Sequence, residues 1–158
     1  MIVTIPHQSH FPDIGDQEIA SLGVPFAFVS VFDHWLTEAE CMATNLFTYR
    51  NAFKANQLQD YLAGERKFLA LYNHLGNAGT IVNCPGVLRS INSDSSEFQR
   101  ILRSSLREAL LMDIYLEGYG VRILGNFDRT DVIIADTREQ LDVLEAEIAK
   151  FGLHMLRK

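Results

Sequence analysis

The stretch Asp94–Glu117, DSSEFQRILRSSLREALLMDIYLE, decides how this chain is assembled. Asp94-Ser95-Ser96-Glu97 has the form of a capping box, in which a short polar side chain accepts from the amide three residues on and the acid reaches back. Phe98, Ile101, Leu102, Leu106, Ala109, Leu110 and Ile114 then recur at helical spacing. The spacing predicts one long helix over Ser95–Glu117, stopped by Gly118 and Gly120.

Downstream, Val121–Gly125 and Asp131–Ala135 are β-prone runs around the polar loop Asn126–Thr130, a hairpin. Asp136-Thr137-Arg138-Glu139 opens a last helix whose apolar stripe is Leu141, Leu144, Ile148 and Phe151; Gly152 ends it, and Leu153–Leu156 adds a strand. Upstream, Thr80–Cys84 and Val87–Asn92 flank Pro85-Gly86, which suits the centre of a type II turn. From residue 87 the order is therefore βαββαβ, the order of the ferredoxin-like split βαβ motif, with both helices expected on one face of the sheet. Such an order carries no function.

The first 78 residues hold eleven of the sixteen aromatics and should supply much of the core. Met1–Ile5 is β-prone, and residues 6–22 read as loop with one helical turn over Asp16–Leu22. Pro25–Phe32 is apolar on both faces, with Phe26, Phe28 and Phe32 opposite Ala27, Val29 and Val31, as a strand covered on each side requires. Thr37-Glu38-Ala39-Glu40 is a capping box for a helix to Phe53. A second helix follows over Asn56–Leu75, with Gly76 as its left-handed C′ residue. Gly64 inside it costs about 1 kcal/mol relative to Ala, which implies a kink or a close helix contact. No linker separates 1–78 from 79–158, so the expectation is one compact α+β domain over 1–158.

The 158 residues suffice for one core: about 69% of the extended surface is buried at this size. Hydrophobic residues make up 47% and charged residues 22%, which excludes disorder and a disulfide miniprotein. The longest nearly apolar run, Gly23–Phe32, is too short to span a membrane, and the start MIVTIPHQSH lacks a basic signal-type region. Two cysteines without Cys-x-x-Cys spacing fit a reducing compartment, with cytoplasm as the default. Net charge is −6, and neither half is basic: residues 1–78 carry four basic and eight acidic groups, residues 79–158 ten and twelve. This balance argues against non-specific nucleic-acid binding and favours cationic partners.

The candidate chemistry is sparse. His7 and His10 have an i, i+3 spacing that serves a metal on a helix, but Pro6 and Pro12 bracket them, so no metal site and no cofactor is assigned. Cys84 reads as a small buried thiol, and Cys41 sits among acids that oppose a thiolate. Asp128, Asp131 and Asp136 fall on one hairpin, as Mg²⁺ ligands do, yet turn, strand-start and cap roles account for each. Arg100, Arg103 and Arg107 form a stripe, with Arg89, Arg122 and Arg129 on neighbouring elements, a pattern that suits an anion or an ion-paired solvated face. Trp35 reads as a core lid or a binding residue. Asp33 and His34, as strand neighbours, should point apart and form no dyad. No nucleotide-loop, nucleophile-elbow or zincin pattern occurs.

Three functions remain open. The first is a non-catalytic, regulator-like or immunity-like protein that binds another protein through Trp35, the 126–130 loop or the arginine helix. The second is a small-molecule-binding protein or enzyme with a pocket between the halves, using His34, Asp33, Cys84 and Arg122. The third is an RNA- or nucleotide-processing protein using the arginines and hairpin carboxylates. Self-association through an open sheet face is compatible with the first.

Overall fold

The computed structural model describes residues 7–158; the β-prone run Met1–Ile5 lies outside them. The chain is α+β, with five α-helices and one seven-stranded sheet among the described residues. The strands are β1 (Phe26–Ser30), β2 (Thr80–Cys84), β3 (Arg89–Ile91), β4 (Asp113–Leu116), β5 (Val121–Leu124), β6 (Thr130–Ala135) and β7 (His154–Leu156). The helices are α1 (Glu38–Ala43), α2 (Tyr49–Lys54), α3 (Leu58–Leu75), α4 (Ser96–Leu106) and α5 (Arg138–Lys150).

The sheet order is β3-β2-β4-β5-β6-β1-β7, and every neighbouring pair is antiparallel. The expected four-stranded ferredoxin-like order is not what forms. β3 and β4 both run antiparallel to β2, so the β3-α4-β4 crossover spans an interposed strand; β6-α5-β7 does the same around β1. Two split βαβ units are thus joined by the β4-β5-β6 meander, and the first half of the chain supplies an inner strand. β1 lies between β6 and β7, as its two apolar faces require.

The decisive departure is the end of α4. The helix stops at Leu106, not Glu117, and the chain reverses to enter β4. Glu108 takes φ 59°, and the Ala109 and Leu110 amides both donate to Ser104 O, at 2.9 and 3.2 Å. The buried Ser105 hydroxyl accepts the Met112 amide at 3.0 Å. Residues 110–116 satisfy two periods at once. Leu106, Leu110 and Ile114 fit a helix, whereas Met112, Ile114 and Leu116 alternate onto the core face of a strand, with Asp113 and Tyr115 opposite. Pairing with β2 and β5 selects the strand.

Other departures have local causes. The single helix expected to Phe53 is two, α1 and α2, because Thr44 Oγ1 accepts from the Leu46 amide and Thr48 caps α2 by accepting from the Asn51 amide. Ser95 and Thr137, not the preceding aspartates, cap α4 and α5. Gly76 is right-handed, at φ −79°; what it needs is space, since a Cβ there would lie 2.6 Å from Thr80 Oγ1. The β2–β3 loop is longer than a two-residue turn, and its Cys84–Pro85 peptide is cis.

Helices α3, α4 and α5 pack on one sheet face. Phe68, Leu71, Leu75, Phe98, Leu102, Leu144 and Ile148 meet Ala27, Val29, Val82, Ile114, Ile123 and Ile133 in the main core. The opposite face carries a smaller cluster of Phe28, Val132 and Leu156, flanked by Ile19, Phe26, Leu124 and Ile134.

Gly64 of α3 meets neither a kink nor a second helix as expected but a side chain from the β5–β6 loop. The buried Arg129 guanidinium lies against it, so an added Cβ would sit 2.3 Å from Nη2. Arg129 Nη2 donates to Tyr61 O at 2.8 Å, and the guanidinium stacks on the Tyr61 ring at 4.3 Å. Gly64→Ala would gain about 1 kcal/mol of helix propensity but overpack a rigid contact, for a net loss of about 1–2 kcal/mol. In an Arg129→Ala background the same change should become neutral or stabilising. Urea unfolding of the four proteins measures this coupling, and an additive double mutant would contradict the contact.

Candidate functional site

The β5–β6 loop, Gly125–Arg129, is held from three directions. Asp128 and Arg129 both take left-handed backbone, at φ 60° and 57°. The Asp128 amide donates to Glu108 Oε1 at 2.7 Å, which ties the loop to the chain reversal after α4. Arg129 anchors it to α3. Asp131, at the start of β6, accepts the Asn126 amide at 3.1 Å and the Tyr72 hydroxyl at 2.5 Å. With its backbone so fixed, the loop projects Phe127 outward, 56% exposed.

Across from Phe127, the chain leaves β1 and turns through Val31–Leu36. Trp35 packs edge-on against Phe28, with centroids 4.9 Å apart, and remains 42% exposed. Lys158 Nζ lies 5.0 Å from the Trp35 ring centre and 5.6 Å from that of Phe28. Phe32 and Phe47 meet edge-to-face at 5.7 Å. The buried Ser30 and Thr130 hydroxyls share a 2.9 Å hydrogen bond across β1 and β6. Together these groups line an open groove of about 250 Å³, with Trp35 and Phe127 among its walls.

His34 lines this groove, and here the expectation for Asp33 and His34 is corrected. β1 ends at Ser30, so the two do not obey strand alternation, and their side chains meet: Nδ1 lies 2.5 Å from Asp33 Oδ1. Nε2 lies 2.5 Å from Glu40 Oε2. Two carboxylate acceptors require a proton on both ring nitrogens, so the arrangement suits an imidazolium. Donation to Asp33, then donation to Glu40, raises the His34 pKa, and His34 in turn lowers both carboxylates. A ring so engaged is a poor general base. Held by Asp33 and Glu40, the ring braces the turn after β1 against α1. Glu40, drawn to His34, leaves the capping box at Thr37 half made: Thr37 Oγ1 accepts the Glu40 amide at 3.2 Å.

Of the residues singled out from sequence, Trp35, His34 and Asp128 converge on the groove. Most of the arginines disperse, although Arg89 and Arg100 line one open cavity together with Glu97. Arg100 and Arg103 are exposed on α4, while Arg107, at its C-cap, donates from Nε and Nη2 to buried Glu65 at 2.8 and 2.9 Å. Arg122 is buried against Asp113, Arg129 is buried in its clamp on α3, and Arg89 pairs with Glu97. The three hairpin carboxylates separate as well: Asp128 lines the groove, Asp131 is buried on the core face, and Asp136 lines a cavity on the other sheet face. His7 Nε2 lies 3.3 Å from Ser90 Oγ, whereas His10 stacks on Tyr115. Among the described residues no group of three His, Cys, Asp or Glu side chains is placed to hold a metal, and no helix is long and apolar enough to cross a membrane. Cys84 Sγ lies 3.7 Å from Leu111 O, and Cys41 lines the groove.

Sequence reasoning named the 126–130 loop but did not single out Phe127 within it, and it missed Lys158. An aromatic in a loop otherwise built of Asn, Asp, Arg and Thr is a usable signal, because turn chemistry does not call for it. Nothing local connects Lys158 to Trp35. Comparison with protein-family models, curated proteins and solved structures finds no match.

Burial of Asp131 pushes its carboxyl from 3.8 up to about 6, against the lowering effect of the Tyr72 hydroxyl and the Asn126 amide. The folded state therefore binds the extra proton between those values. Its contribution to stability is present below about pH 4 and lost as pH rises through 6, on the order of 3 kcal/mol in all. Asp131→Asn removes this titration. The stability of the variant relative to the native chain should rise by up to that amount between pH 4 and pH 8, as read by urea unfolding. A pH-independent difference would contradict a buried, titrating Asp131.

Proposed function

We propose that this chain is a non-catalytic interaction protein of a reducing, cytoplasmic compartment, and that the Trp35–Phe127 groove receives an apolar side chain of a basic partner protein. The observation that carries this reading is the pair of half-exposed aromatics set across one groove on backbone that is fixed from below. Trp and Phe displayed on a rigid frame supply contact area at little entropic cost, and such residues dominate binding energy at interfaces.

The expected sign of the partner follows from charge. Asp128 lines the groove beside His34 and Lys158, Asp33 and Glu40 are bound to that His34, and the chain as a whole carries −6. Basic residues flanking the inserted side chain would be steered toward this face and seated beside those carboxylates. The enzyme alternatives draw less support. The one imidazole at the groove is held by two acids, and of the arginines offered for phosphate recognition Arg89, Arg107 and Arg122 are ion-paired and Arg129 is buried, which leaves Arg100 and Arg103 on the exposed surface of α4.

The test is capture of a partner from the cells that make this protein, with the untagged native chain compared against Trp35→Ala, Phe127→Ala and Arg100→Gln/Arg103→Gln. The reading predicts a basic protein retained by the native and arginine-substituted chains. Each aromatic substitution should weaken that binding about 30-fold, the effect of a hot spot of about 2 kcal/mol. Loss with the arginine pair and retention by both aromatic variants would overturn it. Native mass spectrometry separates a foreign partner from a second copy of the chain, and a dimer abolished by Phe127→Ala would replace the basic-partner reading.

A further inference from the structure

On the sheet face opposite the main core, the segment Ser9–Ile14 lies over β4, β5 and β6 and encloses a second cavity of about 310 Å³. That is the low end of the roughly 300–1,000 Å³ range of small-molecule sites. It shares no lining residue with the groove. Leu22, Val24 and Ile134 make part of its wall apolar. Tyr115 makes another part aromatic, with His10 stacked on it at 4.0 Å between centroids and 16° between planes.

The charged lining decides the ligand's sign. Arg122 suggests an anion by its residue type, but its guanidinium is committed. Nε and Nη2 donate to Asp113 at 2.8 and 2.7 Å, and Nη1 donates to Pro12 O at 2.8 Å. The pair is neutral as a unit and holds the covering segment down, with Phe11 packed on the guanidinium at 5.4 Å. Two carboxylates remain. Asp13 accepts the Gly15 amide at 2.9 Å on one oxygen, and Asp136 is exposed at the cavity rim. Neither is in an ion pair among the described residues. An apolar and aromatic wall beside two unpaired carboxylates matches an ammonium or guanidinium on an apolar body.

We propose that this cavity binds a small organic cation, its charged head met by Asp13 and Asp136 and its body lying against Tyr115 and Ile134.

The test uses tryptamine, phenethylamine and agmatine as cations and indole-3-propionate as an anion of matching shape, read by thermal shift and by amide chemical-shift mapping. At least one cation should raise Tm and perturb Tyr115 and Ile134, while the anion does neither. Asp13→Asn, which keeps the oxygen that accepts from Gly15, and Asp136→Asn should each weaken binding at least threefold. Trp35→Ala should bind as the native chain does, which separates this site from the groove. Failure of all three cations at millimolar concentration would overturn the proposal, as would equal binding of the anion or full binding by the double asparagine variant. A lysine-bearing peptide that binds here when the free amines do not would also overturn it, in favour of a protein source for the cation.

Discussion

The reversal of the chain between Leu106 and Asp113 is the constraint on which the rest of the molecule depends. Ser105 is its pivot. The buried hydroxyl takes the Met112 amide, and a Cβ on Gly125 would lie only 2.1 Å from it, so the end of α4, the start of β4 and the end of β5 meet at a point where nothing larger fits. Were α4 to continue, β2 and β5 would lose the strand between them and the sheet would divide. The geometry of one serine and one glycine therefore keeps a single seven-stranded sheet continuous.

That junction also sets the electrostatics of the groove's foundation. Arg107, released from α4 at its C-cap, reaches Glu65 of α3, and its guanidinium lies 4.6 Å from the Tyr49 ring centre, with Tyr49 edge-on to Tyr61. Glu65 is buried, so removing Arg107 would strand a charge, whereas the pair together is tolerated. Arg129 is the opposite case, a buried cation whose partners are backbone carbonyls and the Tyr61 ring, and desolvation lowers its pKa. Such a group is costly, and it is tolerated because Gly64 admits it to the surface of α3. The loop bearing Phe127 is thereby fastened to the longest helix.

The parts of this arrangement that sequence could reveal are those set by local chemistry. Pro25–Phe32 announces an inner strand by its two apolar faces, and the Asn126–Thr130 hairpin follows from β-propensity on either side. The error at Leu106 arose where two periods share the same residues: Leu110 and Ile114 belong to a helical stripe and to a strand equally well. Pairing with Val121–Leu124 across a short turn and with Thr80–Cys84 far upstream resolves that ambiguity, and the upstream pairing leaves no local trace. The same holds for the candidate sites. Trp35 and the hairpin loop were recognisable as surface features, but their meeting across β1 and β6 was not. Arg122 looked like an anion ligand because its partner Asp113 was assigned to a helix.

Both the groove and the cavity thus rest on β4. Tyr115 of β4 forms a wall of the cavity, and β4 holds β5, whose loop to β6 makes one side of the groove. The most direct test is the pattern of nuclear Overhauser contacts over residues 107–117 in solution. Cross-strand contacts from Asp113 to Leu124 and from Tyr115 to Arg122 are predicted, together with contacts from Ile81 to Tyr115. Sequential helical contacts of the i, i+3 type running unbroken from Ser96 to Glu117 would contradict the account, and with it both proposed binding sites.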